Sequence, residues 1–353
     1  MTYDVAIIGA GPSGSTLARL LGKDYKVLLV EKRDFKRGVV QKEKCCGGLL
    51  APDAQKMLAK LGLGLPKDIL SGPQLFSVCA IDYDNDLERH YQRHYINMDR
   101  EKFDSWLISL IPDSVDTIFG ASLKNIKKGK DLYSVEVKDG GQVKSYNARV
   151  VVGADGAYSK VRRLMFTGAV EPRKYMAVQE WYRIKDGPKP CYYSIFDSKI
   201  TDFYSWMIQK ENYLILGTAI DPEDDVKGKF ELLKQRVLAY GIDLKDPVKK
   251  NGTSLLRPEK FTQLNPGDEG VALIGEAAGF ISPSSAEGLS YSMESAFLLS
   301  ESIKKSLINF MPHYRRSTGK IRKNIALKNL KSHLMYNRFT RKLIMASGIL
   351  SFK

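Results

Sequence analysis

Apolar and polar residues follow one another near the N-terminus in an order that predicts a strand, a turn, a helix and a second strand. Residues 5–8 form a short apolar run, residues 9–14 are rich in glycine, and residues 17–21 carry apolar side chains at helical spacing. Residues 26–30 form a second apolar run that ends at Glu31. This order is typical of the βαβ unit that binds a dinucleotide.

The glycine-rich turn has the spacing Gly-x-Gly-x-x-Gly. Gly9 permits a tight turn, Gly11 lets the backbone approach a pyrophosphate, and Gly14 lets the helix lie close to the strand. The first N–H groups of the helix then point at the phosphates. Glu31 is expected to accept a hydrogen bond from a ribose hydroxyl. We predict dinucleotide binding here; the alternative is a glycine turn without a ligand.

Later apolar runs predict a return to the same sheet after an insertion. Residues 148–152 lead into Gly-Ala-Asp-Gly at 153–156, and residues 270–274 lead through a glycine turn into a helix from about residue 287. Between them, residues 174–219 read as strand after strand with dense aromatic side chains, which is typical of a separate antiparallel sheet.

The predicted fold is therefore α/β: a Rossmann-like cofactor-binding domain interrupted by an antiparallel β-sheet substrate domain, with a helical C-terminal segment. The cofactor-binding domain is assigned to residues 1–75, 99–170 and 255–305, the substrate domain to residues 76–98 and 171–254, and the basic helical segment to residues 306–353.

The positive charge is concentrated near the C-terminus. The formal net charge of the 353 residues is +15, and residues 301–353 hold 13 lysines and arginines against one acid, Glu301. Such a segment can bind an anionic membrane surface or an acidic partner, or it can be a solvated pair of basic helices. No nucleic-acid recognition module accompanies the charge, so we expect no nucleic-acid binding.

Cysteine and histidine usage gives no sign of metal chemistry. The cysteines show no metal-binding spacing, and the histidines lie outside the motifs. We expect no metal and a reduced, cytoplasmic protein, either free or peripheral on the inner face of the membrane. No uncharged apolar run approaches the roughly 18 residues that a membrane-spanning helix needs.

Three segments together carry a family resemblance: residues 9–14 with Glu31, residues 153–156 followed by Arg162 and Arg163, and residues 273–279. They resemble the flavoprotein superfamily of aromatic-ring hydroxylases and geranylgeranyl reductases. The resemblance implies that the first segment holds the ADP half of FAD. It also implies that the second lies near the pyrophosphate, and that the third places an acid on the ribityl chain.

Two further segments resemble the geranylgeranyl reductase branch. Residues 44–49 read Lys-Cys-Cys-Gly-Gly-Leu, similar to Lys-Pro-Cys-Gly-Gly-Leu, and residues 204–210 are similar to the Tyr-x-Trp-x-Phe-Pro-Lys motif that lines the substrate cavity. Within this branch, residues 46–55 and 273–282 resemble the CbrA subgroup most. The sequence departs from the branch at three places: Cys45 replaces proline, Ile208-Gln209 replaces Phe-Pro, and Glu276 replaces aspartate.

The resemblance also implies the site residues. Cys46, Tyr204 and Trp206 are the candidate catalytic or substrate-contacting residues. Those implied to contact FAD are Gly9, Gly11, Pro12, Ser13, Gly14, Glu31, Lys32, Arg33, Gly47, Gly48, Arg100, Leu123, Asp155, Gly275, Glu276, Gly288 and Leu289.

Structural alternatives stay open for the catalytic candidates. Cys46 is either a reactive thiol, with Lys42 and Lys44 as nearby positive charge, or a small residue required by a glycine loop. Tyr204 and Trp206 lie two apart on a predicted strand and share a face. That face either brackets a flat apolar substrate or packs in a sheet core.

The predicted function is an FAD-dependent reductase that passes a hydride to a C=C bond of a prenyl- or lipid-like substrate. The alternatives are an FAD-dependent monooxygenase acting on an aromatic or polyketide-like substrate, and a non-catalytic flavoprotein that binds a lipid intermediate. No second glycine motif follows a strand, so the reductant is expected to be NADPH bound transiently or an electron-donor protein.

Overall fold

Both strands and helices occur in the computed structural model, which describes residues 2–35 and 45–352. The strands are β1 (Thr2–Ile8), β2 (Val27–Glu31), β3 (Leu49–Leu50), β4 (Leu75–Asp82), β5 (Leu87–Asn97), β6 (Asp116–Phe119), β7 (Ser122–Lys128), β8 (Tyr133–Asp139), β9 (Gln142–Gly153), β10 (Arg173–Arg183), β11 (Tyr192–Phe196), β12 (Ser205–Lys210), β13 (Tyr213–Ile220), β14 (Pro247–Arg257), β15 (Gly267–Asp268) and β16 (Val271–Leu273). The helices are α1 (Pro12–Leu21), α2 (Pro52–Lys60), α3 (Arg100–Ser109), α4 (Lys160–Met165), α5 (Val226–Ala239), α6 (Leu289–Lys305), α7 (Phe310–Ser317), α8 (Gly319–Tyr336) and α9 (Arg338–Ser347).

The chain folds into two compact units, and each is built from separated stretches of sequence. The first unit comprises Met1–Glu43, Phe103–Arg173 and Leu256–Lys328, and the second comprises Lys44–Lys102, Lys174–Leu255 and Asn329–Lys353. The α/β fold class predicted from the sequence is confirmed.

These bounds differ from the predicted domains by a few residues at several borders and by longer stretches at two places. Residues 44–75, assigned to the cofactor-binding domain, belong to the second unit, where β3 pairs with β5. Residues 306–353 do not form a unit of their own, because Tyr314 and Ile321 are buried in cores of the first unit while Tyr336 packs against Phe203 in the second.

The sheet of the first unit has the order β15-β16-β9-β1-β2-β6, with β7 and β8 joined to it through β9. The five strands in the order β16-β9-β1-β2-β6 run parallel to one another, whereas β15 and β8 pair antiparallel with β16 and β9. The apolar runs of β1 and β2 are almost wholly buried, as expected of parallel strands covered on both faces. Helices α1, α6 and α7 pack on one face of this sheet.

The second unit contains an eight-stranded sheet of order β14-β10-β13-β12-β11-β4-β5-β3. Most of its pairs are antiparallel, but β4 and β11 run parallel. The sheet is therefore mixed rather than purely antiparallel. β4 ends more than a hundred residues before β11 begins, so no tight hairpin imposes an antiparallel direction on this pair. Helix α5 covers one face of it through Phe230, Leu233 and Val237.

The C-terminal stretch is helical, as α7, α8 and α9 follow one another. Among the residues that the structure describes, no helix is long and apolar enough to cross a membrane.

Candidate functional site

The three glycine-containing motifs of the first unit follow three adjacent parallel strands at one edge of the sheet. Ile8 at the end of β1 aligns with Gly153 at the end of β9, and Gly153 aligns with Leu273 at the end of β16. Carboxyl ends of parallel strands are where open α/β sheets bind their ligands. Motifs separated by more than a hundred residues therefore meet at one edge.

The first turn has the geometry of a phosphate cradle. Gly9 has φ +103°, and an added Cβ there would lie 2.5 Å from the carbonyl oxygen of Ala154. A Cβ on Gly14 would lie 1.8 Å from the oxygen of Gly9, so α1 approaches the turn too closely for any side chain. An added Cβ on Gly11, by contrast, would meet no described atom within 4 Å apart from those of its chain neighbours. Helix α1 then begins at Pro12 without a side-chain cap, which leaves its first N–H groups available to an anion.

Glu31 ends β2 with its carboxylate turned toward the glycine turn. Its Oε2 accepts the N–H of Ala10 at 2.7 Å, and its Oε1 accepts the N–H and Nε of Arg33 at 2.9 and 3.2 Å. A carboxylate has about four acceptor positions, so one more donor, such as a ribose hydroxyl, can be accommodated. Lys32 is exposed.

Arg33 is held between two carboxylates rather than reaching solvent. Its Nη1 donates to Asp104 Oδ2 at 2.9 Å in addition to the contact with Glu31. Burial alone lowers the pKa of Arg33, but the two carboxylates outweigh it and the pKa is raised. Asp104 was not among the residues predicted from the sequence. The available signal was a carboxylate next to the apolar Phe103 and one turn before Leu107 on a helix.

Asp155 carries an unsatisfied buried acceptor. Its Oδ2 accepts the N–H groups of Lys160 and Val161 at 2.6 and 3.2 Å, at the start of α4. Its Oδ1 is buried and has no hydrogen-bond partner among the described residues. Burial raises the pKa of Asp155. An orphaned acceptor at a ligand-binding edge fits a hydroxyl or N–H donor supplied by a bound molecule.

The third segment packs on the start of α1. Gly275 has φ +58°, and an added Cβ would lie 2.3 Å from Ser13 Oγ. The next side chain, Glu276, accepts the N–H of Leu256 at 3.1 Å through Oε1.

Two other predicted contacts have backbone features of their own. Gly288 is the N-cap of α6, which starts at Leu289 without a side-chain cap, so its first N–H groups are available. Leu123 lies buried on β7, and its carbonyl accepts Lys160 Nζ at 3.1 Å. Uncapped starts of α1 and α6, the open space at Gly11 and the orphaned Asp155 oxygen together fit a phosphate-bearing dinucleotide.

In the second unit, the sulfur of Cys46 accepts two hydrogen bonds. Its Sγ accepts the N–H of Gly48 at 3.4 Å and Nη1 of the buried Arg100 at 3.3 Å. The predicted approach of Arg100 to the FAD pyrophosphate stays a prediction, and in the structure its Nη1 donates to the cysteine sulfur. Lys42 and Lys44, predicted to add positive charge here, lie outside the described residues.

The Cys46 loop lies against β12 and is fixed by a buried lysine. A Cβ on Gly47 would lie 2.5 Å from Ile208 Cδ1. Lys210 Nζ donates to the carbonyls of Gly48 and Met98 at 3.0 and 2.6 Å and to Asn97 Oδ1 at 2.5 Å. Burial lowers the pKa of Lys210 to about 8. Lys210 was not predicted as a site residue, although a lysine at an inward position of a buried strand was a usable signal.

Trp206 and Tyr204 differ in how deeply they are packed. Trp206 lies opposite Gly217, where an added Cβ would meet the indole ring at 2.4 Å, and its Nε1 is buried without a partner in the described structure. Trp206 is half-buried and packs against the apolar cluster that contains the buried Ile208. Tyr204 is buried, and its ring packs 4.8 Å from Phe203 and 6.5 Å from Tyr336. Trp206 is thus better placed than Tyr204 to contact a ligand.

A group of potential metal ligands lies elsewhere in the second unit. The ligand atoms of Cys79, Glu88 and His90 are within 4.8 Å of one another. Hydrogen bonds account for this cluster: Glu88 pairs with His90 Nε2 at 3.0 Å and accepts Tyr240 OH at 2.9 Å. Burial raises the pKa of the Cys79 thiol, which therefore keeps its proton. The expectation that no metal is needed stays a prediction.

Comparison with known proteins shows which class of protein has this fold. Residues 7–45 match the family described as NAD(P)-binding Rossmann-like domain. The fold is similar to a geranylgeranyl bacteriochlorophyll reductase-like protein from Thermoplasma acidophilum, with a TM-score of 0.81 at 17% identity, covering 96% of this chain and 88% of that one. It is also similar to PqsL of Pseudomonas aeruginosa, a probable FAD-dependent monooxygenase, with a TM-score of 0.75 at 18% identity, covering 99% and 100%. This is the fold of FAD-dependent oxidoreductases and monooxygenases.

Within that class, the chain belongs to the CbrA family. It is 42% identical to protein CbrA of Escherichia coli O6:H1 over 347 residues, which cover 98% of this chain and 94% of that protein. The resemblance predicted from the sequence is confirmed.

Proposed function

We propose that the chain binds FAD through its first unit and is a reductase of C=C bonds in a prenyl- or lipid-like substrate. Bound FAD, once reduced, supplies a hydride equivalent to an unsaturated carbon. Glu31 would hold the adenosine ribose, the starts of α1 and α6 would bind phosphates and the flavin edge, and Asp155 Oδ1 would accept a ligand hydroxyl. The proposed reductant is NADPH or an electron-donor protein.

Saturating a C=C bond takes a hydride at one carbon and a proton at the other, and Cys46 is the proposed source of the proton. The observation that carries this proposal is the pair of donors on its sulfur, Gly48 N–H and the Arg100 guanidinium. Both donors stabilise a sulfur that has given up its proton, which is what an acid needs after transfer. Arg100 and Lys210 then act as positioning residues for the thiol and its loop.

The half-buried aromatic residues near this loop favour an apolar substrate. Trp206, Trp181 and Tyr192 are only partly buried on the sheet face that also carries Ile208, against which Gly47 lies. Flat, apolar side chains of this kind bind unsaturated hydrocarbon well.

Anaerobic reoxidation of the reduced, FAD-loaded protein by a panel of polyprenyl lipids tests the proposal. We expect reoxidation with a product that has gained two hydrogen atoms. Cys46→Ala should slow it by about 10²–10⁴-fold, the range for loss of a general acid. Cys45→Ala is the matched control, because it removes the neighbouring thiol, whose Sγ lies 3.8 Å from the carbonyl oxygens of Ala177 and Asn251.

Other outcomes separate the alternatives. NADPH-coupled oxygen consumption with a hydroxylated product would replace reduction with monooxygenase chemistry, which this fold also supports. Absence of reoxidation across the whole panel, with FAD bound, would contradict the reductase proposal.

A further inference from the structure

Helix α9 buries a charged side chain and exposes its apolar ones. Arg341 is buried, with Nε donating to Asp82 Oδ2 at 2.8 Å and Nη2 donating to Asp82 Oδ1 at 3.0 Å and Asp84 Oδ2 at 2.7 Å. Met345, one turn further on, is also buried. Arg341 and Met345 therefore lie on the side of α9 that packs against the rest of the second unit.

The opposite side of α9 carries large apolar side chains. Phe339 and Leu343, four residues apart, lie about half a turn away from the Arg341 and Met345 side. They are 69% and 57% exposed, and Ile344 is 46% exposed. A surface helix of a soluble domain has the reverse arrangement, with its apolar stripe inward.

The residues after α9 extend this exposure. Gly348 ends the helix in the left-handed region, and Ile349, Leu350 and Phe352 are 67%, 88% and 62% exposed. Leu350 itself has φ +64°, a conformation that costs free energy for a leucine and points to a function when the structure enforces it.

This exposed tail is attached to the second unit. Ser351 forms a bridge with Tyr91, and the N–H of Phe352 donates to the carbonyl of His90 at 3.0 Å. The apolar side chains are thus presented on an ordered backbone. Several exposed apolar side chains within one short, ordered stretch are typical of a surface that binds another molecule or a membrane.

The charge of this region selects the occupant. Residues 329–352 contain no aspartate or glutamate, and Arg341 is neutralised internally by Asp82 and Asp84. Arg338 and Lys342 remain as exposed cations on α9, the helix that carries Phe339 and Leu343. Within this stretch, apolar residues are flanked by lysine and arginine and by no acid of the same stretch, a pattern that matches the interface of an anionic bilayer.

We propose that residues 338–352 form a membrane-docking face that inserts Phe339, Leu343 and Leu350 among the headgroups of an anionic phospholipid bilayer. Arg338 and Lys342 then lie at the level of the phosphates. This proposal goes beyond the proposed reaction and does not depend on it.

Flotation of the full FAD-loaded chain with phosphatidylcholine vesicles, with and without phosphatidylglycerol, tests the proposal. We expect binding to the phosphatidylglycerol-containing vesicles only, weakened by salt. The double variant Phe339→Ser with Leu343→Ser should lower the apparent affinity by about tenfold or more. Phe76→Ser is the matched control, because Phe76 is 63% exposed on β4, outside the docking face.

Three results would overturn the proposal. The first is no binding to anionic vesicles at low salt, and the second is equal loss of binding in the double variant and in Phe76→Ser. The third is a solution dimer that the double variant converts to monomer, because a second copy would then cover the face. Circular dichroism and retained FAD establish that each variant is folded.

Discussion

Lys210 is a buried lysine at the end of β12, and its ammonium group donates hydrogen bonds to three oxygen atoms. Replacing it with methionine leaves the carbonyls of Gly48 and Met98 and Asn97 Oδ1 without their donor. We expect Lys210→Met to lower the free energy of unfolding by about 1–3 kcal/mol, the cost of leaving buried acceptors unpaired. Urea unfolding measures it, and Lys127→Met, an exposed partner of Glu136, should cost less than about 1 kcal/mol. Equal effects of the two variants would show that the buried contacts contribute nothing.

The same lysine should make stability depend on alkaline pH. Burial lowers its pKa from 10.5 to about 8. Below pH 8 the folded chain bears the cost of the buried cation. Between about pH 8 and 10.5 the folded chain releases the proton while the unfolded chain keeps it, so the Lys210 contribution to stability rises by about 3 kcal/mol in total. The difference in unfolding free energy between the wild type and Lys210→Met should therefore grow over this range; a constant or shrinking difference contradicts the shift.

At this scale, sequence patterns located residues whose role depends on local spacing. Glu31 could be predicted because it ends a strand about 20 residues after a glycine turn. The pairing of Arg33 with Asp104 and of Arg100 with Cys46 could not, because each joins residues more than fifty positions apart. Tertiary packing alone decides which of several possible partners a buried guanidinium meets.

In the turn between β1 and α1, one glycine is expected to matter for stability and another for FAD binding. A Cβ on Gly14 would meet the Gly9 oxygen, so Gly14→Ala should lower the free energy of unfolding by about 1–3 kcal/mol through overpacking. A Cβ on Gly11 meets no described atom, so Gly11→Ala should change that free energy by less than about 1 kcal/mol. Its methyl group would occupy the space proposed for the pyrophosphate and lower FAD affinity by about tenfold or more.

Flavin fluorescence titration and urea unfolding of both variants check this pair of expectations. Gly64→Ala is the matched control for Gly11→Ala, since an added Cβ there also meets no described atom within 4 Å. If Gly11→Ala binds FAD as tightly as Gly64→Ala does, the pyrophosphate does not lie at Gly11.

Individual elements were more predictable from the sequence than their pairing. The apolar runs of β1, β2 and β9 predict buried parallel strands, and the structure contains them. The glycines at 140 and 141 predict a hairpin, and both have positive φ in the turn between β8 and β9. The parallel pairing of β4 with β11 has no local signal, because the alternation of a strand is the same whichever neighbour it has.

On the scale of the whole molecule, the sequence pattern predicted a discontinuous cofactor-binding domain, and several predicted borders differ from those of the two compact units. The basic C-terminal stretch was treated as one segment on composition. Its division between the units at residue 328 follows from contacts with distant residues, such as Arg341 with Asp82, 259 positions apart. A charge count along the chain cannot distinguish an exposed arginine from one that anchors a helix.

That anchor carries the last prediction. Arg341→Met leaves the buried Asp82 carboxylate without its guanidinium partner, and breaking one side of a buried ion pair costs about 3–5 kcal/mol. We expect this loss in the unfolding free energy of the second unit, with faster hydrogen exchange over residues 338–352 as α9 detaches. Arg338→Met, in the same helix but with its guanidinium at the surface on the carbonyl of Asp84, should cost less than about 1 kcal/mol and leave exchange unchanged. Equal exchange in the two variants would mean that the apolar packing around Met345 holds α9, because the ion pair would then be dispensable.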